Sequence, residues 1–245
     1  MKIFVAIDDT DNSESKGTGF RSRELAGIIE KNNLGKVHGV TRHQLYVHEQ
    51  IPYTSHNSSA CIALVSEANN IRKIIEISAA YLMENAAEGS DAGLCICTEH
   101  HVNDELISYA KSAKTEILTM SHARDLAAKY NIFLEGYTGT KQGIIGSLAA
   151  VGLHANGNDG RFLLVKGMRE KFGIYTAKEI LTLTGVEKIQ TIDNELLCNF
   201  ENILLTEWWR PVLKNNMAVL YVEKSNEITH EYTVVSKDYI KSISN

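Results

Sequence analysis

The stretch KIFVAIDDTDNSESKGTGFRSRELAGIIEKNN, residues 2–33, decides how the chain begins to fold. Residues 2–8 form an apolar run that ends in an acid, which predicts a buried strand with its C-terminal end at Asp8. Residues 9–19 are polar and contain glycine, so we expect a loop there. Leucine and isoleucine recur at helical spacing across residues 20–31, and this spacing predicts a helix that the following asparagines end.

The next segments extend this pattern into a sheet with helices. The same criteria predict two strands, a second helix and a third strand at residues 37–48, 58–66, 69–87 and 93–98. The resulting order (strand, helix, strand, strand, helix, strand) is that of the split β-α-β unit in ferredoxin-like folds. Two further helices are expected, at residues 103–113 and at residues 121–130, the second with Ser121 as N-cap.

A second section opens near Phe133. Small residues dominate residues 144–152, which predicts a helix that another backbone or a ligand can approach closely. Strand candidates follow at residues 161–166, 186–192, 202–206 and 217–223. We therefore expect a fold of the α/β (α+β) class, with a ferredoxin-like domain in residues 1–130 packed on a second α+β domain in residues 131–245. The active site is expected in the cleft between them.

Composition restricts the classes of function. The 245 residues are 44% hydrophobic and 22% charged, as in ordinary globular proteins. The net charge of −5, without a dense run of Lys or Arg, argues against broad, non-specific binding to nucleic acid. No stretch approaches the ~18 apolar residues of a membrane span, and the 4 scattered cysteines indicate a reduced, cytoplasmic protein. Cys95 and Cys97 are interpreted as strand residues and not as zinc ligands.

Three carboxylates follow the first strand directly, at Asp8, Asp9 and Asp11. Like charges this close repel one another unless a cation lies between them. Magnesium held by one or two carboxylates together with phosphates would remove that repulsion. The alternative is a solvated acidic turn, since Asp is common in turns. The position at the C-terminal end of a strand favours a site.

A short glycine loop comes next and precedes the first helix. Backbone amides at Gly17, Thr18 and Gly19 could face phosphate oxygens, helped by the helix N-terminus. Arg21 and Arg23 in the first turns could neutralise phosphate charge, although they could equally be exposed helix residues. One chemistry that fits this loop is a haloacid-dehalogenase-type phosphatase. Asp9 would then be the covalent nucleophile and Asp11 the acid/base, with Ser13 completing the signature.

Four segments in order resemble another family, the archaeal isoleucine-tRNA agmatidine synthetases. Val5-Ala6-Ile7-Asp8-Asp9-Thr10-Asp11 resembles the opening of that family. Asn57-Ser58-Ser59-Ala60, which follows Ile51-Pro52-Tyr53-Thr54, is similar to its I-P-x-K-T-R-G-N-G-A segment. Residues 142–152, QGIIGSLAAVG, are similar to its G-R-G-L-I-G-A-L-A-A-x-G segment. Pro211-Val212-Leu213 matches a P-V-L that follows the family's second domain.

The resemblance implies an ATP-dependent reaction. In that family a kinase-like N-terminal domain phosphorylates the C2 carbonyl oxygen of an anticodon cytidine, and agmatine then displaces the phosphate. It implies that Asp8, Asp9 and Asp11 hold magnesium and the triphosphate, with Thr18 as the loop threonine tied to phosphoryl transfer. The remaining residues that it implies at the substrate and amine pockets are Asn57, Ser58, Glu135, Gly143, Gly146 and Ser147.

The chain departs from the family pattern in three places. Gly17-Thr18-Gly19-Phe20 stands where the family has C-T-T-Y, and residues 53–60 lack the family's arginine and both glycines. The 245 residues contain no C-x-x-C motif, and we expect neither an oligonucleotide-binding barrel nor a zinc ribbon after the second domain. We therefore expect a smaller carbonyl- or amide-bearing substrate in place of a full tRNA, while a separate tRNA-binding partner stays open. Because the loop is altered, an alternative function is that of a degenerate nucleotide- or amine-binding module without turnover. The sequence does not determine the oligomeric state.

Two further features have functional alternatives. Glu99 and His100 end a strand, and the split β-α-β order could bring them near the aspartate loop. Trp208-Trp209 could stack on a base or on a cationic amine, or one ring could lie in the core and its neighbour at an interface.

Overall fold

The computed structural model describes residues 1–53 and 56–244. Its helices are α1 Thr18–Lys31, α2 Ile71–Asn85, α3 Asp104–Ser112, α4 Met120–Lys129, α5 Gly143–Ala155, α6 Ala177–Leu183 and α7 Lys237–Ser244. Its strands are β1 Lys2–Asp8, β2 Lys36–Gln44, β3 Ser58–Val65, β4 Gly93–Thr98, β5 Phe133–Gly136, β6 Arg161–Leu164, β7 Gly173–Thr176, β8 Lys188–Thr191, β9 Asn202–Leu205, β10 Val212–Lys214, β11 Met217–Lys224 and β12 Tyr232–Val234.

The N-terminal strands form an antiparallel sheet in the order β4-β1-β3-β2. Strand β1 lies in the middle, and successive side chains of a strand point to opposite faces. Ile3, Val5 and Ile7 therefore join a core with α1 and α2 on one face. Phe4 and Ala6 join a second core on the other face, where α3, α4 and α5 pack. Because both faces are covered, β1 is apolar from Ile3 to Ile7.

The sheet continues into the C-terminal part of the chain. Strand β6 pairs antiparallel with β2, with Phe162 opposite Thr41, and β10, β11, β12, β9 and β7 follow in that order. Strand β8 runs parallel beside β11. This part has its own core, in which Trp209 is 1% exposed. One sheet thus connects both parts, and the pairing of β2 with β6 fixes their relative position.

The structure confirms the mixed α/β class and the order of the first six elements. The ferredoxin-like assignment itself stays a prediction. Strand β4 has the predicted bounds, whereas β2 is shorter than predicted because the chain leaves the sheet after Gln44. Several short elements were not predicted, among them β5, β7, α6 and β10. The N-cap of α4 is Thr119, whose hydroxyl accepts from His122 N–H at 3.2 Å, so the assignment of Ser121 was wrong.

The packing of β5 and α5 affects the predicted division into two domains. Strand β5 pairs with β4, and α5 packs against β1, β3 and β4, so both elements lie with the N-terminal sheet. We retain a division into residues 1–130 and 131–245 as a proposal, with the qualification that the first part of the second segment completes the core of the first. In the described part of the chain no helix is both long and apolar enough to cross a membrane.

Candidate active site

A cleft opens where β1 ends and α1 and α5 begin. Its floor is the aspartate loop, and its walls are the loop that follows β2 and the segment that follows α3. The lining residues are Asp8, Asp9, Asp11, Thr18, Leu45, Gln50, Ile51, Pro52, Tyr53, His56, Asn57, Ser58, Ala113, Glu116, Ile117, Leu118, Gln142, Gly143, Ile145 and Gly146. The lining therefore combines the carboxylates of the aspartate loop with apolar side chains, a combination that suits a small ligand with a charged group.

Two glycines let the start of α5 lie directly on the end of β1. A Cβ on Gly146 would lie 1.9 Å from Asp8 Oδ2, and a Cβ on Gly143 would lie 2.9 Å from Asp8 O. Distances this short are impossible for real side chains. Glycine at these two positions is what allows the first turn of α5, with its positive dipole end, to approach the Asp8 carboxylate.

The aspartate loop is electrostatically strained. Burial, followed by the charges of Asp9 and Asp11, raises the pKa of Asp8 well above its usual value. Burial, followed by the charges of Asp91 and Asp11, raises the pKa of Asp9 from 3.8 to about 6. Asp9 also has a left-handed backbone, with φ of 49°. The loop therefore concentrates negative charge where water is largely excluded, which is the condition that favours a bound cation.

The hydroxyl of Thr18 is held in a defined orientation. It donates to Asp11 Oδ1 at 2.6 Å and accepts from both the N–H and the hydroxyl of Thr10, at 3.2 and 3.0 Å. Asp11 Oδ1 also accepts from Thr18 N–H at 3.1 Å, so this carboxylate occupies the N-terminus of α1. Thr18 is 7% exposed and faces the cleft. A hydroxyl bonded to a carboxylate is the arrangement of a nucleophile beside its base.

The loop between β2 and β3 is fixed at its base. Leu45 N–H donates to Asn57 O at 2.9 Å, and the Asn57 amide donates to Tyr46 O at 2.6 Å. Tyr46 N–H in turn donates to Ala113 O at 2.9 Å. Asn57 thus acts mainly as a structural clamp whose backbone and side chain hold one wall of the cleft. Thr54, which belongs to the resemblance in this loop, lies outside the described residues.

Most of the predicted site residues come together in the structure. The cleft brings together Asp8, Asp9, Asp11, Thr18, Asn57, Ser58, Gly143 and Gly146. Gly17 and Gly19 line an adjoining recess that shares Asp11 and Thr18 with the cleft.

Three predicted residues lie elsewhere. Ser147 is buried and donates to Ile144 O, Glu135 lies on β5 and pairs with Lys141 at 3.7 Å, and Arg21 pairs with Glu24 at 3.4 Å.

The expectation for Glu99 and His100 is wrong. Because β4 runs antiparallel to β1, Thr98 lies opposite Ile3, at the far end of the sheet from Asp8. Glu99 instead accepts from Lys2 N–H at 2.9 Å. The residues that do approach the aspartate loop come from the start of β4, where Gly93 lies opposite Asp8.

Trp209 lies in the core, whereas Trp208 is half-buried and packs against a smaller hydrophobic cluster. Trp209 is buried, and its indole N–H donates to Lys171 O at 3.0 Å. The guanidinium of Arg210 lies over the Trp208 ring at 5.2 Å from its centroid.

Sequence reasoning missed the segment after α3. Ile117 and Leu118 contribute apolar side chains to the lining of the cleft, and Glu116 contributes a carboxylate. Their sequence carries no motif, since they belong to the connection between two helices. Asp91 was missed for the same reason, although its charge contributes to the raised pKa of Asp9.

Metal ligation differs from the prediction in one respect. Across residues 1–53 and 56–244, no three His, Cys, Asp or Glu side chains form a group that could hold a metal ion. Asp11 is bonded to Thr18, so Asp8 and Asp9 are the carboxylates better placed to act as ligands. Two carboxylates are enough for a magnesium ion whose other ligands are phosphate oxygens and water.

Comparison with known proteins supports the resemblance seen in the sequence. No family model matches the chain. It is 27% identical over 220 residues to TiaS of Archaeoglobus fulgidus, an isoleucine-tRNA 2-agmatinylcytidine synthetase, and the match covers 87% of this chain and 51% of that protein. It is also 24% identical over 159 residues to an uncharacterized protein of Methanocaldococcus jannaschii, covering 62% of this chain and 50% of that protein. The chain thus spans about half the length of the curated relatives it matches.

Solved structures agree with the sequence comparison. The crystal structure of apo TiaS matches with 26% identity and a TM-score of 0.53, over 62% of this chain and 35% of that chain. The crystal structure of TiaS in complex with an isoleucine tRNA and ATP matches with 26% identity and a TM-score of 0.54, over 62% of this chain and 36% of that chain. The chain is thus a mixed α/β protein that is similar to TiaS in sequence and in fold. The resemblance to the agmatidine synthetases is confirmed over part of their length.

Proposed function

We propose that the chain is an ATP- and magnesium-dependent enzyme that phosphorylates a carbonyl-type oxygen and couples an amine in its place. The observation that carries this proposal is the Thr18 hydroxyl, bonded to Asp11 and facing the cleft beside Asp8 and Asp9. The TiaS-like relatives support it, because one of their solved structures is a complex with an isoleucine tRNA and ATP.

The geometry supports phosphoryl transfer through the loop threonine. Because Thr18 donates to Asp11, Asp11 can accept the proton as the Thr18 oxygen attacks phosphorus and the bond to the leaving nucleotide breaks. The carbonyl-type oxygen of the acceptor would then attack this phosphorus, the bond between phosphorus and the Thr18 oxygen would break, and Asp11 would return the proton to Thr18. The amine would finally displace phosphate from the acceptor carbon. The two bonds from Thr10 hold this oxygen in place before the attack, and one of them has to break to free the lone pair that attacks phosphorus. Positioning of this kind is the main contribution a protein makes to phosphoryl transfer. The family's second threonine is replaced here by Gly19, and the hydrogen bonds between Thr18, Asp11 and Thr10 do not depend on it.

The residues present fit a magnesium ion at the aspartate loop. Asp8 and Asp9 have pKa values raised by burial and by neighbouring carboxylates, so a cation would stabilise both in their charged form. Bound there, the ion would neutralise triphosphate charge. Asp11 would remain with Thr18 as base and as the cap of α1.

The apolar end of the cleft suits a cationic amine with a methylene chain. Ile51, Ile117 and Leu118 can contact the methylene chain, and Glu116, next to Ile117 in the sequence, supplies a carboxylate for the amine. We propose Glu116 for the role that the resemblance implied for Glu135, which pairs with Lys141 outside the cleft. For the acceptor, we propose a carbonyl- or amide-bearing substrate other than a full tRNA, because residues 53–60 lack the arginine and both glycines of the family's segment.

The proposal is tested by measuring nucleotide products. Purified protein is incubated with ATP, magnesium, agmatine or another amine, and candidate acceptors such as cytidine derivatives. We expect ADP or AMP release that Asp11→Ala and Thr18→Ala abolish, while the exposed-site control Asp193→Asn retains it. A ligand-induced rise in melting temperature without any nucleotide product would favour the binding module. Phosphate release from simple esters without ATP, lost in Asp9→Asn, would favour the phosphatase.

A further inference from the structure

A second cavity, which we call the junction cavity, lies where the cores of the two parts of the chain meet. Its volume is about 820 Å³, against about 130 Å³ for the active-site cleft. Phe4 lines it from the core under α5. Phe162, Val186 and Leu213 line it from the C-terminal core. Ligand sites in proteins are commonly cavities of this size at the junction between two packed units.

The junction cavity is separate from the active site. Among the residues that the structure describes, none lines both this cavity and the cleft or its adjoining recess. The cavity lies by Lys2 at the start of β1, whereas the cleft lies by Asp8 at its end, roughly 20 Å away at about 3.3 Å per residue. Helix α5 extends between the two, with Gly143 in the cleft and His154 in the cavity. A molecule in the junction cavity would therefore not occupy the place of the nucleotide.

His154 offers one ring nitrogen to this cavity. The residue is 9% exposed, and its Nδ1 is hydrogen-bonded to the Thr41 hydroxyl at 2.7 Å. In the described part of the chain its Nε2 has no hydrogen-bond partner. The fully enclosed side-chain polar atoms without a partner in that part are Arg21 Nε, Ser59 Oγ and Ser78 Oγ. The Nε2 atom of His154 is not one of these, so it is open to the cavity that the residue lines.

A chain of hydrogen bonds fixes which nitrogen of His154 carries the proton. Although burial alone would raise it, the bonds from His43 and Lys114 keep the pKa of Asp159 below its usual value, so this carboxylate is charged and accepts from His43 Nδ1 at 2.8 Å. His43 Nε2 then accepts from the Thr41 hydroxyl at 2.8 Å, and the Thr41 oxygen accepts from His154 Nδ1. The Nε2 atom of His154 is therefore unprotonated, and it can accept a hydrogen bond from a ligand.

Three lysines also line the junction cavity, namely Lys2, Lys36 and Lys166. Lys2 and Lys36 both lie opposite Val65, on the two sides of β3. Residues paired in this way point to the same face of the sheet, and two strand spacings separate these two by about 10 Å. Among the described residues, none of the three lysines forms an ion pair with an Asp or Glu. Their charges are therefore available to an anion.

Two carboxylates line the cavity as well, and each already accepts a backbone hydrogen bond. Glu99 accepts from Lys2 N–H at 2.9 Å, and Glu187 accepts from Ala218 N–H at 2.8 Å. With the histidines neutral, three lysines against two glutamates leave the lining with a net positive charge. The lining thus combines apolar side chains, one hydrogen-bond acceptor and an excess of cations.

We propose that the junction cavity is a binding site for a small organic anion with an apolar body and one hydroxyl or N–H group. The hydroxyl or N–H donates to His154 Nε2, the apolar body contacts Phe4 and Phe162, and the negative charge lies among the three lysines. Burial of the apolar body supplies the driving force, and the polar groups fix the orientation. The site goes beyond the proposed function and does not rest on it, because it involves no residue of the aspartate loop.

The test uses three naphthalene probes that differ by one group each. The compound 6-hydroxy-2-naphthoate carries both the anion and the donor, 2-naphthoate lacks the donor, and 2-naphthol lacks the anion. Isothermal titration calorimetry on the full chain measures each dissociation constant. We expect 6-hydroxy-2-naphthoate to bind about three- to tenfold more tightly than 2-naphthoate, as one neutral hydrogen bond allows. Raising the salt from about 0.05 M to about 0.5 M should weaken both carboxylates and leave 2-naphthol unchanged.

Variants locate the probes in the cavity. Lys36→Gln and Lys166→Gln should each weaken both carboxylates about threefold, whereas Lys73→Gln, at an exposed position of α2, should not. His154→Phe keeps a ring but removes the acceptor, so the affinity ratio of 6-hydroxy-2-naphthoate to 2-naphthoate should fall to about one. A merely structural defect would change both affinities and not their ratio. Ile117→Asp alters the active-site cleft and should leave every affinity unchanged.

The outcomes distinguish this site from the cleft and from the proposed function. If Ile117→Asp abolishes binding while Lys36→Gln and Lys166→Gln leave it unchanged, the probes occupy the cleft and the proposal is overturned. It is also overturned if 2-naphthol binds as tightly as the carboxylates at low salt, or if His154→Phe leaves the ratio unchanged. Failure of ATP with magnesium to bind, with the expected binding of the naphthoates, would refute the proposed function and leave the junction cavity standing.

Discussion

Replacing Asp9 by asparagine should stabilise the free protein. The pKa of Asp9 is raised from 3.8 to about 6, because of burial and the charges of Asp91 and Asp11. Keeping this group charged at pH 7 therefore costs the folded state about 3 kcal/mol. The side chain is partly solvated, and screening reduces the figure to about 1–2 kcal/mol. Asparagine keeps the volume and tolerates the left-handed backbone at φ of 49°.

The expected result is a melting temperature about 4 °C higher for Asp9→Asn at pH 7, from differential scanning calorimetry. The sign follows from proton binding. Because the folded pKa is raised, the folded state binds more protons than the unfolded state between pH 3.8 and about 6, so the variant's advantage grows as the pH rises through this window. Below pH 4 the advantage should disappear. Asp193→Asn, in an exposed turn, serves as the control and should show no such gain.

A second set of melting temperatures, measured with magnesium and ATP, tests whether Asp9 is a metal ligand. If Asp8 and Asp9 hold the cation, magnesium with ATP should raise the melting temperature of the wild type more than that of Asp9→Asn. A lower melting temperature for free Asp9→Asn would refute the electrostatic reasoning. An equal response of both proteins to magnesium and ATP would refute the assignment of Asp9 as a ligand.

Three further predictions concern other parts of the fold. Thr18→Ser should retain nucleotide turnover and Thr18→Ala should lose it, since only the hydroxyl bonded to Asp11 is needed; equal loss in both would count against the threonine. Gly146→Ala should lower the free energy of unfolding by about 1–3 kcal/mol, because its Cβ would lie 1.9 Å from Asp8 Oδ2. Gly27→Ala, with nothing within 4 Å, should instead raise it by about 0.5–1 kcal/mol in urea titrations. Burial, followed by the charges of His43 and Lys2, lowers the pKa of His154 from 6.5 to about 3, so the unfolded state binds more protons below pH 6.5. Stability should therefore fall by about 2 kcal/mol between pH 7 and pH 5 relative to His154→Gln, and a slope unchanged in that variant would contradict the assignment.

The sequence by itself determined the local chemistry and the order of elements. The apolar run into Asp8, the helical spacing after Phe20 and the small residues of α5 are local patterns, and each produced the predicted element. The same locality identified Asp8, Asp9, Asp11 and Thr18, because they are close in the chain and therefore close in space.

Only the tertiary structure decided which distant residues join them. Strand direction placed Gly93, and not Glu99, at the end of the sheet beside Asp8. The pairing of β2 with β6 set Arg42 opposite Arg161, two residues that are distant from each other in the chain. Glu116 reached the cleft through a connection without a motif. Side-chain periodicity reports which face of an element is buried, but it carries no information on which element covers that face.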